Sequence, residues 1–82
     1  MIRTQRKWQL VNQNEIRCDI YQFETDSVYP KLVLFKHWVR GEKDPVSVYD
    51  INLETAREYW DYVTARGAIL TVEEETKEET ND

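Results

Sequence analysis

Between residues 31 and 40 the chain reads Lys-Leu-Val-Leu-Phe-Lys-His-Trp-Val-Arg, and no other run limits the fold as strongly. Successive side chains of a strand point to opposite faces of a sheet. Val33, Phe35, His37 and Val39 therefore share one face, and Leu32, Leu34, Lys36, Trp38 and Arg40 share the other. Both sets are largely apolar. A strand of this kind sits inside a sheet, with material against each side.

The flanking segments supply the rest of that sheet. Lys7–Val11 alternates, with Trp8 and Leu10 on one side and Lys7 and Gln9 on the other. Asn12-Gln13-Asn14 is turn chemistry, and Glu15–Phe23 alternates again. There Ile16, Cys18 and Ile20 face one way and Arg17, Asp19, Tyr21 and Phe23 the other, so the two runs read as a hairpin. Gly41–Pro45 is a turn, and Val46–Ile51 a fourth strand. Asn52 then opens a helix, because its side-chain oxygen accepts from unpaired first-turn amides. Glu54 and Glu58 suit the positive end of that helix, Arg66 the negative end, and Gly67 the position just past it. Leu53, Ala56, Trp60 and Val63 form its core-facing stripe. Ala68–Val72 returns to β character, as a fifth strand or an extended arm. The expected fold class is α+β: an antiparallel four- to five-stranded β-meander with one α-helix packed on one face. Element order alone leaves open which face that is.

Charge divides the chain at residue 72. Residues 73–82 hold Glu73, Glu74, Glu75, Glu78, Glu79 and Asp82 against Lys77, which accounts for the whole net charge of −5. Residues 1–72 form a neutral body that begins with Arg3, Arg6 and Lys7 and has no acid before Glu15. The expected organisation is one small domain over 1–72 and an acidic, disordered tail over 73–82, since a segment without apolar residues cannot offset its ordering entropy. The tail is a solubilising terminus, a dock for a basic partner, or a screen for the basic N-terminal segment.

Little in the sequence carries catalytic chemistry. Cys18 and His37 are the only nucleophile and base of their kinds. Cys18 lies in an alternating strand without a nucleophile turn, where a small buried thiol packed with Ile16 and Ile20 is expected. One Cys and one His do not make a structural zinc site. Glu54, Glu58 and Asp61 share a helix face and read as a solvated stripe. Phosphate loops, dinucleotide glycine patterns and calcium loops do not occur. The expectation is a protein that is not an enzyme and uses no cofactor and no metal. No apolar run approaches the ~20 residues of a membrane span, and no signal-peptide core is present. A cytoplasmic protein without membrane contact follows as the expectation.

The richer signal is aromatic, with three Trp, five Tyr and two Phe in 82 residues. One thin core and one helix stripe do not consume them all. Arg17, Tyr21, Phe23, Lys36, Trp38 and Arg40 are the candidate partner-binding residues, because Tyr, Trp and Arg dominate the energetics of interfaces. The reading is a small regulatory or adaptor protein that binds and modulates a larger partner protein, an enzyme being one class of target. A homo-oligomer would bury the same residues. The alternative is a single-stranded nucleic-acid-binding module, with bases stacked on the aromatics and phosphates on the cations. The neutral body and acidic end weigh against it.

Trp38-Val39-Arg40-Gly41 in a strand-to-turn position, followed by a charged turn and the helix Leu53–Arg66, resembles the layout of WGR domains. These are small sheet-plus-helix modules associated with DNA-end and nucleic-acid binding. The resemblance spans roughly residues 31–66 in the order of elements, and Val39 stands where that family has glycine.

Overall fold

The computed structural model describes residues 1–79. Strands β1 (Ile2–Gln13), β2 (Cys18–Asp26), β3 (Leu32–Val39) and β4 (Ser47–Asn52) precede helix α1 (Leu53–Ala65) and strand β5 (Ile69–Glu79). They build one five-stranded sheet in the order β4-β3-β2-β1-β5. All neighbours are antiparallel. The fold is α+β and mostly β: a four-stranded meander whose helix carries the chain back to the far edge, beside β1.

Local chemistry sets the boundaries. Asn14 Oδ1 accepts from the amides of Ile16 and Arg17 at 2.9 and 2.8 Å, closing the β1–β2 turn. The second strand therefore begins at Cys18, three residues later than the alternation implies, and Ile16 stands 96% exposed in the turn instead of packing on Cys18. Asn52 caps α1 as expected, its side chain accepting from Thr55 N at 2.7 Å. At the other end Gly67 N–H donates to Thr64 O and Ala68 N–H to Val63 O, both at 3.0 Å. Two carbonyls of the last turn are thereby satisfied, and Gly67 supplies the φ of 104° this closure needs.

The core lies between α1 and one sheet face. Leu10, Phe23, Val33 and Phe35 come from the sheet, Ala56 and Val63 from α1, and Ala68 from the following turn. Trp8, Tyr21, Ile51 and Trp60 pack around them. The helix thus covers the face that carries Phe23 and Phe35. Of the predicted helix stripe, Ala56 and Val63 are buried and Trp60 packs on the core, while Leu53 remains 46% exposed.

The acidic segment differs from expectation. Residues 73–79 are not a disordered tail: β5 runs through them, across the expected junction at 72, paired with β1. The register sets Arg3 opposite Glu78, Arg6 opposite Glu75 and Lys7 opposite Glu74. Arg6 Nη2 lies 3.6 Å from Glu75 Oε1. A backbone ladder orders the chain here, and opposite charges across it replace the apolar contacts this strand lacks. The remainder of the expected tail, residues 80–82, lies outside the described residues.

At the same end of the sheet Arg3 clamps Asp26. Its Nε lies 3.1 Å from both carboxylate oxygens, its Nη2 donates to Oδ2, and the Val28 amide adds a bond of 3.0 Å. The Arg3 hydrogen bond, then the Val28 amide, hold the Asp26 carboxyl at about 2 rather than the ordinary 3.8.

Two outcomes follow. Gly67→Ala should destabilise the protein by roughly 1 kcal/mol in urea melts through backbone strain, since the added Cβ meets nothing within 4 Å. A depressed carboxyl stabilises the fold above its unfolded pKa, and that contribution disappears as pH falls through the folded value. The Asp26 contribution should therefore be complete above about pH 5 and vanish toward pH 2. NMR titration of Arg3→Ala should find the Asp26 carboxyl raised toward 3.8, with the Val28 amide still holding it below that value.

Candidate interaction surface

Residues paired across antiparallel strands lie on the same face, so the registers assign every candidate. Trp8, Leu10, Tyr21, Phe23, Val33, Phe35, His37, Tyr49 and Ile51 lie on the helix face. The opposite face carries Gln9, Val11, Ile20, Gln22, Glu24, Leu34, Lys36, Trp38, Val48 and Asp50. Among the described residues no element outside the sheet exists apart from α1, so this second face is open.

The six predicted partner-binding residues therefore divide between two faces. Lys36 and Trp38 lie on the open face, and Arg40, exposed two residues beyond Trp38, follows their parity. Phe23 does not join them. It is 3% exposed beneath the helix, its ring 5.1 Å from Phe35 and 5.4 Å from Trp60. A partner cannot reach it, and its role is core packing. Tyr21 is half-buried on the same helix face, stacked on His37 with ring centroids 4.6 Å apart. Burial, then the Asp19 carboxylate, pushes the Tyr21 phenol above its ordinary value. Arg17 lies in the β1–β2 turn and donates to Asp19 Oδ1 at 2.9 Å. Asp19 also holds His37 Nε2 at 2.8 Å. Arg17, Asp19, Tyr21 and His37 thus form one polar cluster, apart from the Trp38 face.

The open face is organised in rows across the strands. Trp38, Ile20, Val11 and Ile69 are successive partners on β3, β2, β1 and β5. Three of these side chains are half-buried, and Ile69 is 69% exposed. The neighbouring row runs Val48, Lys36, Gln22, Gln9, Val72. In it Gln22 Nε2 donates to Gln9 Oε1 at 2.9 Å. Lys36 Nζ lies 5.9 Å from the Trp38 ring centroid and 3.9 Å from Glu24 Oε2. One further row on, Asp50, Leu34, Glu24, Lys7 and Glu74 follow. A depression of about 390 Å³ opens there, lined by Lys7, Glu24, Tyr29, Leu32, Leu34 and Asp50 among others. The face therefore has an apolar end flanked by Lys36 and Arg40 and an end richer in carboxylates. An uncovered apolar row of this kind is a candidate contact surface.

Val11, Val48, Ile69 and Val72 were not among the sequence candidates, although period-two alternation marks Val11 and Val48 once the β3 faces are known. Ile69 and Val72 were hidden by a register shift between Gln9 and Leu10.

The residues considered for chemistry are not assembled. Cys18 shares the parity of Ile20 on the open face, half-buried, whereas His37 lies on the helix face. Glu54, Glu58 and Asp61 are exposed on α1. Among the described residues no group of three His, Cys, Asp or Glu side chains is placed to hold a metal ion. No helix in them is long and apolar enough to cross a membrane. The chain matches no family model, no curated protein and no solved structure, so the likeness to WGR domains remains one of element order.

Phe23→Ala should cost about 3 kcal/mol or more of stability, the usual loss for an emptied aromatic core site. Thermal and urea denaturation would measure it. An unchanged midpoint would contradict the burial of this ring.

Proposed function

We propose that this is a non-enzymatic regulatory or adaptor protein that binds a larger protein through the open sheet face. Trp38 is the anchor, Ile20 and Val11 extend the apolar contact, and Lys36 and Arg40 supply flanking charge. One observation carries the reading: an apolar row crosses the sheet from β3 to β5 with no layer over it. Aromatic and aliphatic contacts at the centre of a polar-rimmed patch are what interface hot spots are made of. Blocking or reshaping an enzyme's active site is the natural mode of action for so small a protein, and the cytoplasm is its natural setting.

Single-stranded nucleic acid is the second reading, favoured by the position of Lys36 beside the Trp38 ring. The carboxylates of Glu24, Asp50 and Glu74 on the same face oppose it, since they repel the phosphates a strand would lay across them.

Affinity capture from the host's own lysate, with tagged wild type and Trp38→Ala side by side, tests the proposal. One protein recovered in near-equal amount, indifferent to nuclease and lost with Trp38→Ala, is the expected result. The purified pair should then lose about 2 kcal/mol of affinity, near thirtyfold, in a variant of unchanged circular dichroism. Nuclease-sensitive recovery whose affinity falls steeply with salt would move the reading to nucleic acid. Equal recovery by a folded Trp38→Ala protein would remove this face as the binding site.

A further inference from the structure

The two edges of the sheet are protected unequally. An edge strand presents unpaired N–H and C=O groups to any strand that fits, and stable proteins blunt such edges with charge or bulges. β5 has both devices. The register shift opposite Gln9 and Leu10 interrupts its apolar start, and Glu73–Glu79 holds five glutamates and one lysine. β4, at the other edge, has no register shift and almost no charge. Its six residues read Ser-Val-Tyr-Asp-Ile-Asn, with a single charge and no proline. Its pairing with β3 runs unbroken from Asn52 to Ser47. Apolar side chains stand open on both sides of this edge: Val48 at 50% and the preceding Val46 at 53%, with Tyr49 on the helix face at 53%.

We propose that β4 pairs antiparallel with β4 of a second copy of this chain about a two-fold axis, joining two sheets into one. The charge pattern selects this occupant. With Tyr49 at the axis, Tyr49 meets its twin, Val48 meets Asp50 and Ser47 meets Ile51. With Val48 at the axis, Asp50 meets Val46. Neither arrangement sets acid against acid, whereas centring a β5 pair on its glutamate run would oppose glutamates. The assembly also closes, because each copy contributes its one unguarded edge and the two-fold axis consumes both. Head-to-tail growth of β4 on β5 would bury the glutamates of β5 against a strand with no cation. Both open faces lie on the same side of the joined sheet, with the two Trp38 rows offset along the strands.

Sedimentation of the full chain over a dilution series tests the proposal. Wild type should pass from dimer to monomer on dilution. Val48→Lys, which places a gatekeeper charge on the edge, should be monomeric throughout with unchanged circular dichroism. Thr76→Lys on β5 and Trp38→Ala on the open face should dimerise like wild type. Tyr49→Lys repeats the edge test should Val48→Lys fail to fold. Hydrogen exchange on the unmodified protein should show β4 amides gaining protection as concentration rises while β5 amides do not. A wild type that is monomeric at every concentration overturns the proposal. So does a dimer kept by the folded lysine variants, or one dissolved by Trp38→Ala instead, which would place the contact on the open face. Protection of β4 that ignores concentration has the same consequence.

Discussion

The packing of Phe23, Phe35 and Trp60 between one helix and the sheet is the contact on which the rest of the molecule depends. Phe35 also packs in a T-shaped arrangement with Tyr59, with ring centroids 5.1 Å apart. Tilted and edge-on rings at such distances are the favourable geometries for aromatic pairs. This is where the helix gains its place, since its 13 residues extend only about 20 Å. A helix is about 10–12 Å across, and strands lie about 4.8 Å apart. One helix therefore roofs two or three of the five strands on one face and none on the other. The uncovered row through Trp38 is a consequence of that geometry, because a single short helix cannot supply two layers.

The charge asymmetry of the chain finds its explanation in the β1–β5 pair. A basic N-terminal strand and an acidic C-terminal strand lie side by side, which gives an exposed ribbon a ladder of opposite charges where it lacks a core. Such pairs contribute little individually at a solvated surface. Their second effect is on assembly, because glutamates along β5 discourage further strands from adding there. The absence of any equivalent on β4 makes that edge the exception, and the charge difference between the edges gives the sheet a direction.

Much of this was legible from alternation. The faces of β3, the separation of Phe23 from Ile20, the Asn52 cap and the Gly67 stop all follow from side-chain parity and local hydrogen bonding. The choice of face under the helix did not. Tyr21 and Phe23 on one side, and Ile20 with Cys18 on the other, are both apolar enough to pack, and only the three-dimensional packing of the helix decides between them. That one choice moved Phe23 from a presumed contact surface into the core and left Trp38 outside. The ordering of residues 73–79 was illegible for a different reason: composition weighs burial within a segment, whereas the stabilising partner of this strand lies some 70 residues earlier in the chain.

A sheet covered on one side has a further thermodynamic property. Chains of this size hide only about 60% of their unfolded surface. Leu10 is the one large side chain below 2% exposure among the described residues. Marginal stability is then the rule, and any molecule that binds the folded state alone adds to it by mass action. A layer over Val11, Ile20 and Trp38 would remove from water the side chains that the fold leaves half-open. Under the proposed function, binding and folding would draw on the same unfinished hydrophobic layer. A partner that covers it stabilises the sheet from the side that α1 does not reach.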